Sequence, residues 1–213
     1  MIKIVAGNKI KEFPLRELHK KATEFDKVEI DLGTGDGRYV YKMAKFNPKT
    51  LFLGIDPSHK QLETYSKKVN KDRLNNALFV WSSLENLNHK LDNLANKLNI
   101  ILPWGTLLQH IAKATPIYIK ELANMVRSSG QITIIMGYHP ENEPNEIERL
   151  DLDNLSLSYI ENKIVPEFEK NGFSKVKLIE VTKDELNEIE STWSKKLTFG
   201  QNRPIFKVEL IKD

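Results

Sequence analysis

At 213 residues, 40% hydrophobic and 29% charged, the chain reads as one soluble globular domain rather than two. No apolar run approaches the ~20 residues of a membrane helix, and Met1–Lys9 is too soon interrupted by polar residues for a signal peptide, so a cytoplasmic location is expected. With no cysteine and five scattered histidines, none paired at ligand spacing, no disulfide framework or metal is expected.

Two short apolar segments, Ile2–Val5 and Ile10–Phe13, flank Gly7-Asn8 and predict a hairpin. Helical periodicity over Leu15–Phe25 completes an N-terminal extension of residues 1–25. Strands and helices then alternate. The strands are Val28–Leu32, Leu51–Ile55, Ala77–Trp81, Asn99–Leu102 and Gln131–Met136. The expected helices are 37–46, 58–71, a stretch over 84–97 and one long helix over roughly 105–127. That alternation means a parallel sheet covered on both faces. Past residue 137 an acidic linker, 138–157, leads to a helix near 158–171 ended by Gly172. Strands Val176–Val181 and Ile205–Ile211, with a short helix at 184–196 between them, lack a full crossover and predict a terminal antiparallel pair.

The most informative stretch is Ile30-Asp31-Leu32-Gly33-Thr34-Gly35-Asp36-Gly37-Arg38. Glycines at alternate positions after a strand let the backbone turn tightly beside a ligand. A dinucleotide fingerprint would need its third glycine at position 38, which is Arg38. The alternate-glycine form with Asp31 two residues ahead of Gly33 resembles instead the S-adenosylmethionine-dependent methyltransferases. Asp56, 23 residues past Gly33 at the end of the next strand, suits a ribose acceptor. It also suits a helix cap, since Pro57 follows.

Ligands in such sheets bind at the carboxyl ends of the strands. Glu85, after the third strand, can accept a hydrogen bond from an adenosine amine or can be a first-turn helix carboxylate. Leu102-Pro103-Trp104 lies where a methyl acceptor would enter. A tryptophan there offers an extruded base a stacking surface, or plugs the end of the sheet. Leu102 stands where exocyclic-amine enzymes carry Asn or Asp, so no polar side chain is supplied to hold an NH₂; a ring nitrogen suits the site better.

Charge adds an RNA reading. The net charge is only +3, but six acids fall within 141–153, so the rest is distinctly basic, with clusters at Lys67, Lys68, Lys71 and Arg73 and at Lys195, Lys196 and Arg203. A solvated helix face explains the first cluster equally well.

Taken in order, the glycine motif, Gly54-Ile55-Asp56-Pro57, Pro103-Trp104-Gly105-Thr106-Leu107-Leu108 and Trp193-Ser194-Lys195-Lys196-Leu197-Thr198-Phe199-Gly200 resemble the aminoglycoside-resistance methyltransferases of the Npm and Kam type. That resemblance implies a class I, Rossmann-like α/β fold: a seven-stranded, mostly parallel sheet with an antiparallel C-terminal pair, plus the N-terminal hairpin. It implies methylation of N1 of adenine-1408 in 16S rRNA of the 30S subunit by a monomer using S-adenosylmethionine. The implied cofactor residues are Asp31, Gly33, Gly35, Tyr39, Asp56, Leu84, Glu85, Leu102, Pro103, Trp104, Thr106, Leu107, Ser191, Thr192 and Trp193. Trp104 and Trp193 would sandwich the flipped adenine. Arg203 would hold phosphate, with Lys67, Lys68, Lys71 and Arg149 on the docking surface and Lys195 and Lys196 adding basic charge. Gln201 departs from the Npm-like pattern, which has a basic residue there. Methylation of transfer-RNA guanine N7 or of a small molecule, and a non-catalytic RNA-binding module, are the rival readings.

Overall fold

The computed structural model describes residues 1–182, residue 185 and residues 203–213. The expected helix at 184–196 lies outside them. In chain order the elements are β1 (Ile2–Ala6), β2 (Lys9–Phe13), α1 (Leu15–Ala22), β3 (Lys27–Leu32), α2 (Arg38–Phe46), β4 (Thr50–Asp56), α3 (His59–Lys71), β5 (Ala77–Trp81) and β6 (Ala95–Ile101). They continue with α4 (Gly105–Ala112), α5 (Pro116–Met125), β7 (Val126–Met136), α6 (Pro144–Leu150), α7 (Leu157–Tyr159), α8 (Val165–Glu169), β8 (Phe173–Glu180) and β9 (Phe206–Lys212).

The sheet runs β2-β1-β5-β4-β3-β6-β7-β9-β8. Its five central strands are parallel, and β9 enters antiparallel between β7 and β8. Strand order reverses at β3, which has β4 on one side and β6 on the other. That reversal opens the crevice where a ligand can enter. The seven expected strands are all present, and the hairpin does more than precede them: β1 pairs with β5 through Ile4 and Val80, giving nine strands among the described residues. An isolated two-stranded hairpin is marginal in water. Here Ser66 of α3 anchors it, accepting from Gly7 N at 2.8 Å and donating to Val5 O at 2.7 Å.

One face of the sheet packs Val40 and Ala44 of α2 and Leu62, Tyr65 and Val69 of α3 against Phe52 and Phe79. The larger cluster gathers Leu18, Val28, Ile30, Leu53, Leu108, Leu122 and Ile134. No described helix is long and apolar enough to cross a membrane.

Two helix expectations are corrected. Over 84–97 the chain makes one 3-10 turn, Leu84–Asn86, then irregular turns, and β6 already starts at Ala95. Leu84, Leu87, Leu91 and Leu94 are all buried, as their helical spacing implied. Asn88, His89 and Asn93, however, sit at φ +46°, +61° and +53°, which no right-handed helix accepts and Asn tolerates. The long helix over 105–127 is two helices. Ala114, at φ +50°, breaks it, and Pro116 opens α5, where its missing N–H costs nothing. Near 158–171 the helix forms but widens to a π-turn over Ile160–Ile164 just before Pro166, a common way to absorb a lost backbone donor. The acidic segment holds α6.

Candidate functional site

The carboxyl ends of β3, β4, β5 and β6 enclose a cleft of about 280 Å³. Gly33, Gly35, Asp56, Leu84, Glu85, Leu102, Trp104, Thr106 and Leu107, all expected site residues, line it together with Ser58, Gln61, Ser82 and Ser83.

Its floor is the glycine turn. Gly33 has φ +78°, and a Cβ there would stand 2.8 Å from Leu107 Cδ2, so the bare backbone is what lets the α4 wall approach. Gly33 N and Thr34 N both donate to Ile55 O, at 2.8 and 3.0 Å, tying the turn to β4. Asp56 completes the tie: Oδ2 accepts from Gly35 N at 2.9 Å and Oδ1 from Ser58 N at 2.8 Å. The cap of α3 is Ser58, whose hydroxyl accepts from Gln61 N. Asp56 is therefore a brace between two loops, and each oxygen keeps a second lone pair for a ligand. Burial raises its pKa, and the two N–H groups oppose that.

Beneath the floor lies Asp31, only 4% exposed. Burial raises its pKa to about 7, and the nearby Glu29 and Asp56 carboxylates add to the rise. Tyr39 does not reach the cleft; its hydroxyl donates to Glu29 Oε1 at 2.8 Å, which Asn99 Nδ2 also meets. Asp31 and Pro103 likewise do not line it. Glu29 and Asp56 stand close enough to Asp31 to disfavour its charge, so acidic groups at this end of β3 favour a cationic ligand, which is the charge type of a sulfonium.

At the rim, Glu85 Oε1 lies 3.1 Å from His110 Nε2, and the His110 ring stacks on Tyr118 with centroids 3.7 Å apart. No sequence argument singled out His110, although it lies one helical turn beyond Thr106 in α4. Leu102 turns the chain into the mouth at φ +51°, an uncommon conformation for a branched side chain. Trp104 follows, 45% exposed, so it is not a core plug. Ser191, Thr192, Trp193, Lys195, Lys196 and Gln201 lie outside the described residues.

The expected RNA cations are mostly engaged. Lys67 pairs with Glu63 at 3.0 Å, Lys68 stands 4.1 Å from the Tyr65 ring centroid, and Arg149 makes a two-pronged bond to Glu146. Lys71 is exposed at the end of α3. Arg203 is 10% exposed and pairs with Glu143, whose other oxygen accepts from His139 N. Away from the cleft the fold gathers one histidine with two acids. His89 Nδ1 lies 3.2 Å from Asp92 and 3.5 Å from Glu121, a cluster the sequence spacing did not reveal.

An alternate-glycine turn at the switch point, its partner acid and an antiparallel closing pair define a class I S-adenosylmethionine-dependent methyltransferase. Comparison with known proteins narrows the class. The model of the NpmA family, 16S rRNA (adenine(1408)-N(1))-methyltransferase, matches residues 3–211. A 16S rRNA (adenine(1408)-N(1))-methyltransferase of Escherichia coli is 33% identical over 210 residues, covering 96% of each chain. The solved 30S ribosomal A1408 methyltransferase UncKam, from an uncultured bacterium, superposes with a TM-score of 0.78 at 43% identity over 100% of both chains. The aminoglycoside resistance methyltransferase NpmB1 superposes at 0.86 with 29% identity, again over 100% of both. The chain belongs to the NpmA family.

Proposed function

We propose that this protein, acting as a single-domain monomer in the cytoplasm, methylates N1 of adenine-1408 in 16S rRNA of the 30S subunit and so confers aminoglycoside resistance. Residues 1–25 serve as an extension of that domain and 138–157 as an acidic linker. The observation that carries the reading is Trp104, exposed at the lip of the glycine-floored cleft in a chain of this family. When bound, S-adenosylmethionine supplies the methyl: adenine N1 forms the N–C bond with its lone pair, the C–S bond breaks toward sulfur, and the products are a cationic base and S-adenosylhomocysteine.

The protein's own work is positioning. The glycine turn and Asp56 hold the nucleoside, Glu85 meets its amine, and the carboxylates around Asp31 favour its positive charge. Trp104 stacks the extruded base, a role that the resemblance to the Npm and Kam type gives Trp193 as well. N1 has no proton to lose, so no general base is needed, and alignment can contribute ~7–11 kcal/mol. Primer extension on 16S rRNA after incubation of 30S subunits with protein and cofactor tests the whole reading. A stop at adenine-1408 is expected; a stop elsewhere, or methylated transfer RNA alone, overturns it.

Two results follow from the geometry. Asp56→Ala removes both the ligand acceptor and two charge-assisted bonds to backbone N–H groups, each worth about 1.5–3 kcal/mol. Cofactor affinity should drop at least roughly 10-fold and the Tm should fall. Calorimetry showing unchanged affinity would leave Asp56 a brace only. Binding to 30S subunits should weaken steeply with salt, and Lys71→Ala should make the log–log slope shallower by about 1. An unaltered slope removes α3 from the docking surface.

A further inference from the structure

We propose that His110 is a positioning residue for cofactor recognition: its Nε2–H holds Glu85 so that the second carboxylate oxygen meets the exocyclic amine of the adenosyl group. The proposal rests on the reading that Glu85 accepts from that amine.

Glu85 lines the cleft, whereas His110 stands behind it on α4. The two side chains are 26% and 16% exposed, and Nε2 lies 3.1 Å from Oε1. Burial disfavours the Glu85 charge, yet hydrogen bonds from Ser83, its own backbone N–H and Thr106, with the nearby His110, hold its pKa below the usual carboxylate range. The carboxylate is therefore ionised and can only accept. His110 must then donate through Nε2, which fixes its protonation at that nitrogen. The ring itself is held by Tyr118 of α5, stacked at 3.7 Å with a 29° interplanar angle.

Ser83 and Thr106 also hold Glu85, so His110 is one of several anchors on a short turn at a solvated mouth, where an unheld glutamate would sample many rotamers. Anchoring Oε1 from α4 restricts a carboxylate that lines the cleft, so less order has to be imposed when the ligand arrives. Trp104 is the N-cap of α4, so the helix that opens at the residue proposed to stack the base also carries His110.

The test compares S-adenosylhomocysteine with its analogue carrying hydrogen in place of the amine at purine C6, by calorimetry on the full chain. The wild type should prefer the amine by roughly tenfold, the scale of one charge-assisted hydrogen bond. His110→Phe keeps a ring on Tyr118 but has no donor, and should lose most of that preference while binding the C6-hydrogen analogue as the wild type does. His110→Gln, which restores an N–H donor, should recover it. A wild-type preference in His110→Phe, or equal loss for both ligands, overturns the proposal. Glu85→Ala separates the two levels. If it retains the preference, the Glu85 reading fails and this proposal with it; if it loses the preference and His110→Phe does not, only the His110 role is wrong.

Discussion

Trp104→Ala should lower methyl transfer to 16S rRNA in 30S subunits by roughly 5- to 150-fold, because base–aromatic stacking is worth ~1–3 kcal/mol per base. Trp104 is the first residue beyond the left-handed Leu102 and Pro103, and it caps α4 in extended conformation at φ −136°. That backbone route carries the indole to the lip of the cleft, and 45% of the residue stays exposed. A buried core tryptophan would cost stability when truncated, typically 3–5 kcal/mol; one this exposed should cost far less. Turnover should therefore fall while the unfolding midpoint changes little. Trp104→Phe retains a smaller π-face and should keep part of the activity. Cofactor affinity should fall less than turnover, since Trp104 forms one edge of the cleft and the flipped base forms only after docking. A variant that turns over at the wild-type rate would exclude stacking on Trp104. Large unfolding with intact specific activity would make it a structural residue.

The parts of this protein that are local in sequence are the parts that sequence reading recovers. Gly33, Gly35 and Gly37 each adopt positive φ, and their spacing alone distinguishes this turn from a dinucleotide fingerprint. The ends of β3 and β4 come out within one residue, because Val28, Ile30 and Leu32 alternate and Leu51–Ile55 is an apolar run, whereas β6 and β7 begin four and five residues earlier than expected. Where the reading missed, a tertiary or single-residue backbone effect had won. Leu84, Leu87, Leu91 and Leu94 have helical spacing and are buried, but three residues at left-handed φ among them bury those leucines through turns. Ala114 carries no breaker signal, yet it ends α4; only Pro116 hinted at the boundary. Glu85 was legible as a rim carboxylate, but its contact with His110, 25 residues away on another element, was not. The lysine and arginine clusters were legible as charge and not as pairing. Arg149 pairs with Glu146 inside the acidic segment, and Arg203, outside it, is held by Glu143, so leaving that segment out of the charge count overstates how basic the surface at Arg203 is.

Asp31→Asn should stabilise the cofactor-free protein above pH 7 and weaken cofactor binding. The folded state raises the Asp31 pKa from 3.8 to about 7, first by burial and then through Glu29 and Asp56. Below about pH 4 the group is protonated whether folded or not, and contributes nothing. Between about 4 and 7 the folded state keeps a proton that the unfolded chain has lost, so stability falls as pH rises. Above 7 both states are ionised and the full cost is present, on the order of 4 kcal/mol at 1.36 kcal/mol per pKa unit. Asparagine never ionises, so its advantage over the wild type should grow from pH 4 to 7 and level off beyond. Urea unfolding of both proteins at pH 5 and pH 8 measures this directly; a pH-independent difference would mean that Asp31 is ionised at both. The same cost gives the site its use. A cationic ligand above Asp31 favours the carboxylate and lowers its pKa, so wild-type binding near pH 7 should release protons, visible as a dependence of the calorimetric enthalpy on the buffer's ionisation heat. Asp31→Asn should abolish most of that release along with the affinity gain. A variant that binds S-adenosylmethionine as tightly as the wild type, with the same proton release, would show that the cluster beneath the floor does not sense the ligand's charge.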